Sequence, residues 1–368
     1  MSYLPDYAEL VCISNFSFLT GASHPQELVA RAAELGYEAI ALCDECSMAG
    51  VVRALEEARR CAERGLPIQL IPGSNFRLEN GSRLFLLPMD HAGYTQICTL
   101  VTRGRRAAPK GEYDLPDTCF ERNLDHCLAL WLPVAEDDLL TAHWLASYFP
   151  ERCWLGLTRE LGPNDRQRTA RLLGMARTAD LPVTACGDVQ MHTRSRRMLH
   201  DVLAAVRHGC PVSELGYRAL PSGERHLRSR ERLAGLFEPE WLNESVGIAR
   251  RCTFRLDELN YRYPREVVPK GKTAREYLRE LTEAGIRERW GDGEGRSEGW
   301  EDWGQSKVPE QVALALYSDP ISRPISRPIS PELRAQIEKE LELIAEMDYE
   351  SYFLTVYDIV RFARDRGI

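Results

Sequence analysis

The chain has 368 residues, 44% of them hydrophobic and 28% charged, with a formal net charge of −8. That length accommodates one large domain and a smaller one, and the acid excess argues against the chain gripping nucleic acid alone, because phosphate contacts need concentrated Lys and Arg. No apolar run approaches the roughly 18 residues of a membrane span, and Met1 to Asp6 lacks the basic and apolar regions of a signal peptide, so a cytoplasmic location without a membrane partner is expected.

In chain order, residues 7–13 read as a first strand. Ser23 precedes a helix from His24 to Leu35, with Pro25 suited to its first turn. Ala39 to Cys43 is a second strand ending on Asp44 and Glu45, and Ala49 to Arg64 is an amphipathic helix that Gly65 stops. Strands follow at Pro67–Ile71, Arg83–Leu87, Cys127–Leu132, Cys153–Leu157 and Leu181–Ala185. Helices are expected at Tyr94–Arg105, near Asp137–Tyr148 and at Asp165–Ala179. Strands alternating with long helices argue for a parallel β/α architecture, and the lack of a Gly-x-Gly-x-x-Gly after the first strand favours a closed barrel over a doubly wound sheet.

Residues 195–252 read as mainly helical. From 291 to 330 the chain is low in complexity and rich in Gly, Pro and Ser, the composition of a flexible insertion, with a short helix expected at Pro309–Leu316. Ser330 and Pro331 then start a helix running to Met347, Tyr352–Tyr357 reads as a strand, and Asp358–Arg366 as a last helix.

The focus of the chain is Cys186 to His192, where an apolar run ends in Gly187-Asp188. In a β/α barrel, such a strand end delivers its carboxylate to the face where chemistry sits. The strand ends gather Asp44, Glu45, Asn75, Asp188 and Gln190, with His192 the one imidazole nearby. Carboxylates plus His on such a face suit divalent ions and phosphoester hydrolysis. Against that, Val11 and Ile13 cannot ligate a metal, Gln190 is a poor ligand, and Asp44 and Asp188 equally suit bonds to the backbone. Cys43 and Cys46 form the one close cysteine pair. With no second pair at zinc spacing, and with Asp44 adjacent to raise the thiol pKa, they read as buried structural thiols. The eleven cysteines as a set read as reduced thiols, not as a disulfide framework. Basic stretches at Arg103–Arg106, Arg194–Arg197 and Gly223–Arg232 suit either phosphates or a solvated face. Aromatics are not interleaved with them in sequence, so stacking on bases is not indicated.

Taken together, Tyr7–Pro25, Ala41–Gly50, Pro109–Tyr113, Gly187–His192, Gly223–Leu233 and Tyr352–Ile368 resemble the bacterial error-prone DNA polymerases of the C family, relatives of the polymerase III alpha subunit. The resemblance implies a fold class of α/β type: a polymerase-and-histidinol-phosphatase (PHP) barrel over residues 1–210, a helical connection over 211–271, and an incomplete polymerase palm over 272–290 and 331–368. In active barrels of that type, His-x-His closes the first strand where this chain has Val11 and Ile13. Asp-His closes the second, a Glu the third and Asp-x-His the last, where Asp44-Glu45, Asn75 and Asp188 with Gln190 stand here. The resemblance therefore leaves Asp44, Glu45 and Asp188 as a vestigial metal site, expected to be empty.

It also implies that the family's Gly-Arg-Gly-Ser nucleotide loop and Mg2+-binding aspartates lie beyond Ile368, so no catalytic residue is expected in this chain. The full-length enzyme would be a Mg2+-dependent nucleotidyltransferase acting on primer-template DNA and dNTPs in damage-induced synthesis, alongside a sliding clamp and other mutagenesis proteins. A free-standing PHP phosphoesterase using Asp44, Glu45, Asp188 and His192, and a non-catalytic interaction module, stand as alternatives.

Overall fold

A computed structural model describes residues 4–259, 267–290 and 329–367. It divides into two compact units, Met1–Leu259 and Asn260–Ile368. The first is built on seven strands: β1 (Ala8–Cys12), β2 (Ala39–Glu45), β3 (Gln69–Arg77), β4 (Arg83–Pro88), β5 (Cys127–Leu132), β6 (Cys153–Leu157) and β7 (Val183–Ala185). They form one sheet in sequential order. Helices α1 (Pro25–Glu34), α2 (Val51–Glu63), α3 (His91–Ala107), α4 (Leu139–Tyr148) and α5 (Asp165–Thr178) fall between the strands.

Strand period explains why these segments read as almost continuous apolar runs. Ile40, Leu42, Leu84, Leu86, Ala129, Trp131 and Leu155 share one cluster with the helices. Ala39, Ala41, Phe85, Leu87, Leu128, Leu130 and Trp154 belong to a second, inner cluster. After α6 (Arg197–His208) and the short α7 (Arg230–Ala234) comes α8 (Pro239–Arg251), whose Val246, Ile248 and Ala249 complete that inner core. Helix α8 is pinned to the strand beginnings: Ser245 Oγ accepts the Ala8 N–H at 3.1 Å, and Gln69 Nε2 donates to the Cys252 carbonyl at 2.6 Å. Residues 211–259, read from sequence as a connection, thus pack within the first compact unit. At the opposite end β1 meets the loop after β7, where Ile13 N–H donates to Val189 O and Val189 N–H to Val11 O, both at 2.8 Å.

Three sequence expectations for the first unit are corrected. The strand expected at Pro67–Ile71 is β3, which begins at Gln69 and runs on to Arg77, because the small and polar Gly73, Ser74 and Asn75 interrupt the apolar run in mid-strand. The sheet is not wholly parallel: β4 runs antiparallel to both β3 and β5. Only Leu78 to Ser82 separates β3 from β4, too short for a crossover helix and carrying the Asn80-Gly81 hairpin signal. The first helix begins at Pro25 with His24 as its N-cap, not Ser23; Ser23 Oγ instead faces His192 Nδ1 at 2.8 Å.

The described part of the second unit is three helices, α9 (Ala274–Trp290), α10 (Pro331–Glu346) and α11 (Glu350–Asp365). Ser330 caps α10 by accepting the Leu333 N–H, with Pro331 at the first position as expected. Two ion pairs, Arg279–Glu338 at 2.8 Å and Arg334–Glu283 at 2.5 Å, tie α9 to α10. The strand expected at Tyr352–Tyr357 lies in the first half of α11. Its aromatic and β-branched residues favour a strand locally, but no turn residue interrupts a run of helical length. The helix expected at Pro309–Leu316 lies outside the described residues, as does most of the 291–330 stretch.

Candidate functional site

Because β4 is reversed, its first residue stands at the same end of the sheet as the last residues of its antiparallel neighbours β3 and β5. Arg83 therefore joins Glu45, Asn75 and Asp188 at the mouth. A cavity of about 420 Å³ opens there, lined among others by Arg83, Gly156, Glu160, Arg168, Asp188 and Arg225.

Asp188 is the most committed side chain in it. Its backbone is left-handed, φ 45°, a conformation that an Asp enters at some cost. Arg83 holds the carboxylate with both guanidinium arms, Nη1 to Oδ1 at 2.8 Å and Nη2 to Oδ2 at 2.5 Å. Arg225 Nη1 adds a third contact to Oδ2 at 2.9 Å. Arg225 is itself held by Glu160, at 3.0 Å through Nε and 2.6 Å through Nη2. The result is a chain of alternating charge, Arg83–Asp188–Arg225–Glu160, that sums to zero. Burial pushes the Asp188 pKa up, but the Arg225 and Arg83 charges overcome it and hold the group at about 2. Preceding Gly187 has no room for a side chain, since a Cβ there would lie 2.4 Å from Glu9 Oε2.

Asp44 is equally engaged, in a different task. Oδ1 accepts the N–H of Ser14 at 2.9 Å, the N–H of Ser17 at 3.1 Å and the hydroxyl of Ser17 at 2.8 Å. Oδ2 accepts the Ser14 hydroxyl at 2.7 Å. These four bonds match the roughly four acceptor positions of a carboxylate and fold the loop after β1 over the end of β2. Burial raises the pKa of Asp44, and the Ser14 and Ser17 bonds oppose that rise.

The remaining positions separate. Glu45 accepts the Tyr113 hydroxyl at 3.0 Å. Asn75 Nδ2 donates to the Cys43 carbonyl at 2.6 Å. Gln190 and His200 are both buried, with Gln190 Oε1 2.8 Å from His200 Nε2; burial lowers the His200 pKa to about 4. His192 faces Ser23 and lies 3.9 Å from Glu27, and burial lowers its pKa too. Val11 and Ile13 are core residues. Cys43 and Cys46 are buried free thiols whose pKa burial raises. Among the described residues, no group of three or more His, Cys, Asp or Glu is placed to hold a metal ion. A divalent ion does not fit the donors that are present: the two central carboxylates already spend their lone pairs on serines and guanidinium groups.

Residues 9–150 match the PHP domain, and residues 276–368 match the bacterial DNA polymerase III alpha NTPase domain. Over 98% of its length, the chain is 49% identical to an error-prone DNA polymerase of Methylococcus capsulatus. It is 47% identical, again over 98% of its length, to one of Pseudomonas paraeruginosa. The chain is similar to bacterial error-prone DNA polymerases. It spans about 31% of the length of these two relatives. Among solved structures, an amidohydrolase from Chromobacterium violaceum aligns over 50% of this chain and 87% of its own at 13% identity, with a TM-score of 0.36, a distant likeness.

Asp44 and Asp188 are thus held by different partners, the one by serines and the other by guanidinium groups. Sequence reasoning missed both arginines. Arg83 was legible as a cation opening an apolar strand, once the hairpin at Asn80-Gly81 reverses its direction. Arg225 was not, because it lies in a basic stretch that read as a solvated face. That stretch is in fact turned inward: Arg228 is buried, and Arg230 bonds the carbonyls of Leu4 and Pro5, both at 3.0 Å.

Proposed function

We propose that this chain is the N-terminal region of an error-prone DNA polymerase, and that its barrel has exchanged metal chemistry for a scaffold role. The observation that carries the reading is the guanidinium pair on Asp188. Two fixed cations neutralise a carboxylate that the resemblance assigns to the metal set, without offering an open coordination position. In the same reading, Asp44, Glu45 and Asp188 are vestiges of a ligand set, with Asp44 retained because it orders the Ser14–Ser17 loop.

The complete enzyme would extend a primer on template DNA with dNTPs, using Mg2+ bound by residues outside this chain. A sliding clamp and other mutagenesis proteins are the partners that the family implies. This chain alone is then inactive as a polymerase.

The test is metal content and activity of the purified chain. After incubation with Mn2+ or Zn2+ and desalting, the reading expects well under one equivalent of metal and no phosphoester hydrolysis. One or more equivalents bound, together with hydrolysis that is lost in Asp188→Ala, would establish a working phosphoesterase and overturn it. Template-dependent primer extension by the 368-residue chain would overturn the polymerase half independently.

A further inference from the structure

Helix α3 carries an open groove of about 770 Å³ on its exposed side. Its wall runs from His91 and Tyr94 at the helix start to Arg103 and Arg106 near the end. At 1.5 Å per residue, His91 to Arg106 is about 22 Å. The structure brings to the groove what the sequence alone kept apart, an aromatic end and a basic end. Tyr94 stacks on Phe254 with ring centroids 4.7 Å apart, and His91 meets the same ring edge-on at 6.0 Å. Between the two ends, Thr95, Thr99 and Thr102 donate their hydroxyls to carbonyls one turn back, at 3.0, 2.8 and 2.8 Å. With their hydroxyls engaged in this way, these threonines line the groove between its two ends. No carboxylate lines the groove; among the described residues neither Arg103 nor Arg106 makes an ion pair, Arg103 donating only a long 4.0 Å contact to Cys119 Sγ. Two guanidinium charges outweigh the roughly half a negative charge at the helix C-terminus.

We infer that this groove binds a single strand of nucleic acid, with bases over the aromatic end and the threonines, and phosphates at Arg103 and Arg106. A π surface followed by unpaired cations is how sequence-tolerant single-strand sites are built, and about 22 Å suits the roughly four nucleotides at the small end of such sites. An acidic peptide would leave the aromatic end unused, and an apolar helix would bury two unpaired arginines. The inference goes beyond the scaffold reading and does not depend on it, since it concerns α3 and not the barrel mouth.

The experiment is fluorescence anisotropy of a labelled oligothymidylate with the full 368-residue chain at low salt. Binding is expected, and Arg103→Glu with Arg106→Glu should weaken it at least about tenfold. Neutralising both as Gln should make the plot of log affinity against log salt shallower by about 1.4, the slope of two lost single-strand phosphate contacts. His91→Ala, at an exposed position, should cost a further few-fold. The same charge change on α5, Arg166→Glu with Arg177→Glu, should leave binding within about twofold, and thermal melting of each variant keeps loss of fold apart from loss of contact. Absence of binding, an equal loss in the α5 variant, or displacement of the oligonucleotide by polyglutamate at equal charge concentration would each overturn the assignment.

Discussion

Replacing Arg83 by Met removes the bidentate partner of a carboxylate whose side chain is only 2% exposed, while Arg83 itself is 20% exposed. The interval between an ordinary Asp pKa of 3.8 and about 2 corresponds to roughly 2 kcal/mol of net stabilisation at about 1.4 kcal/mol per pKa unit. Stranding a buried charge entirely costs about 3–5 kcal/mol, but Arg225 keeps its 2.9 Å contact. The expected loss for Arg83→Met at pH 7 is therefore about 2 kcal/mol. The sign with pH follows from proton uptake. In the parent chain, the depressed pKa gives stability that is present above about 3.8 and lost as pH falls towards 2. Without Arg83, burial is opposed less, the folded-state pKa rises, and the variant takes up its proton earlier. Its deficit must shrink as pH falls from 7 towards 4. Urea unfolding followed by tryptophan emission reads this, because Trp131 and Trp154 are buried on β5 and β6. Asp188→Asn alone and combined with Arg83→Met completes the cycle, with a coupling above about 1 kcal/mol expected. A deficit under about 0.5 kcal/mol at pH 7, or one that does not change with pH, would refute the ionic lock.

Glu9 gives the opposite pH dependence. Burial raises its folded pKa from 4.5 to about 7, against the opposing bonds from Gly187, Val11 and Tyr7. The folded state thus holds more protons than the unfolded state between those values, and stability should fall by about 3 kcal/mol as pH rises from 4.5 to above 7; comparing urea midpoints at pH 5 and 8 in the parent and in Glu9→Gln, the slope should flatten in the variant. Gly21→Ala would place a Cβ 2.0 Å from the Ser14 carbonyl oxygen, breaking the loop that Asp44 holds, and should cost more than about 3 kcal/mol in a urea titration. Gly247→Ala, inside α8 with nothing within 4 Å of the new atom, should instead stabilise by about 0.5–1 kcal/mol. A thiol reagent should label Cys98, Cys119 and Cys210, which are half-buried, well before buried Cys12, Cys43 and Cys186, whose pKa values burial raises; mass spectrometry of the labelled peptides reads the order.

The sequence by itself located all seven strands, because each contains an apolar run, but it ended the third at Ile71 where the strand continues through Gly73, Ser74 and Asn75 to Arg77, since small and polar residues interrupt the apolar pattern there. It also showed that Val11 and Ile13 carry no ligand atom and that Gln190 offers only a weak amide oxygen. Only the tertiary structure decided which groups meet the carboxylates at the strand ends. The guanidinium groups of Arg83 and Arg225 come from positions 105 and 37 residues away from Asp188 in the chain, and no local pattern encodes that they meet on it. The same holds for the four bonds that claim Asp44, for α8 as the floor of the barrel, and for α11, where local strand preference lost to a helical run long enough to pack. Periodicity reports which face of an element is buried. It does not report which distant charge will be there to meet it.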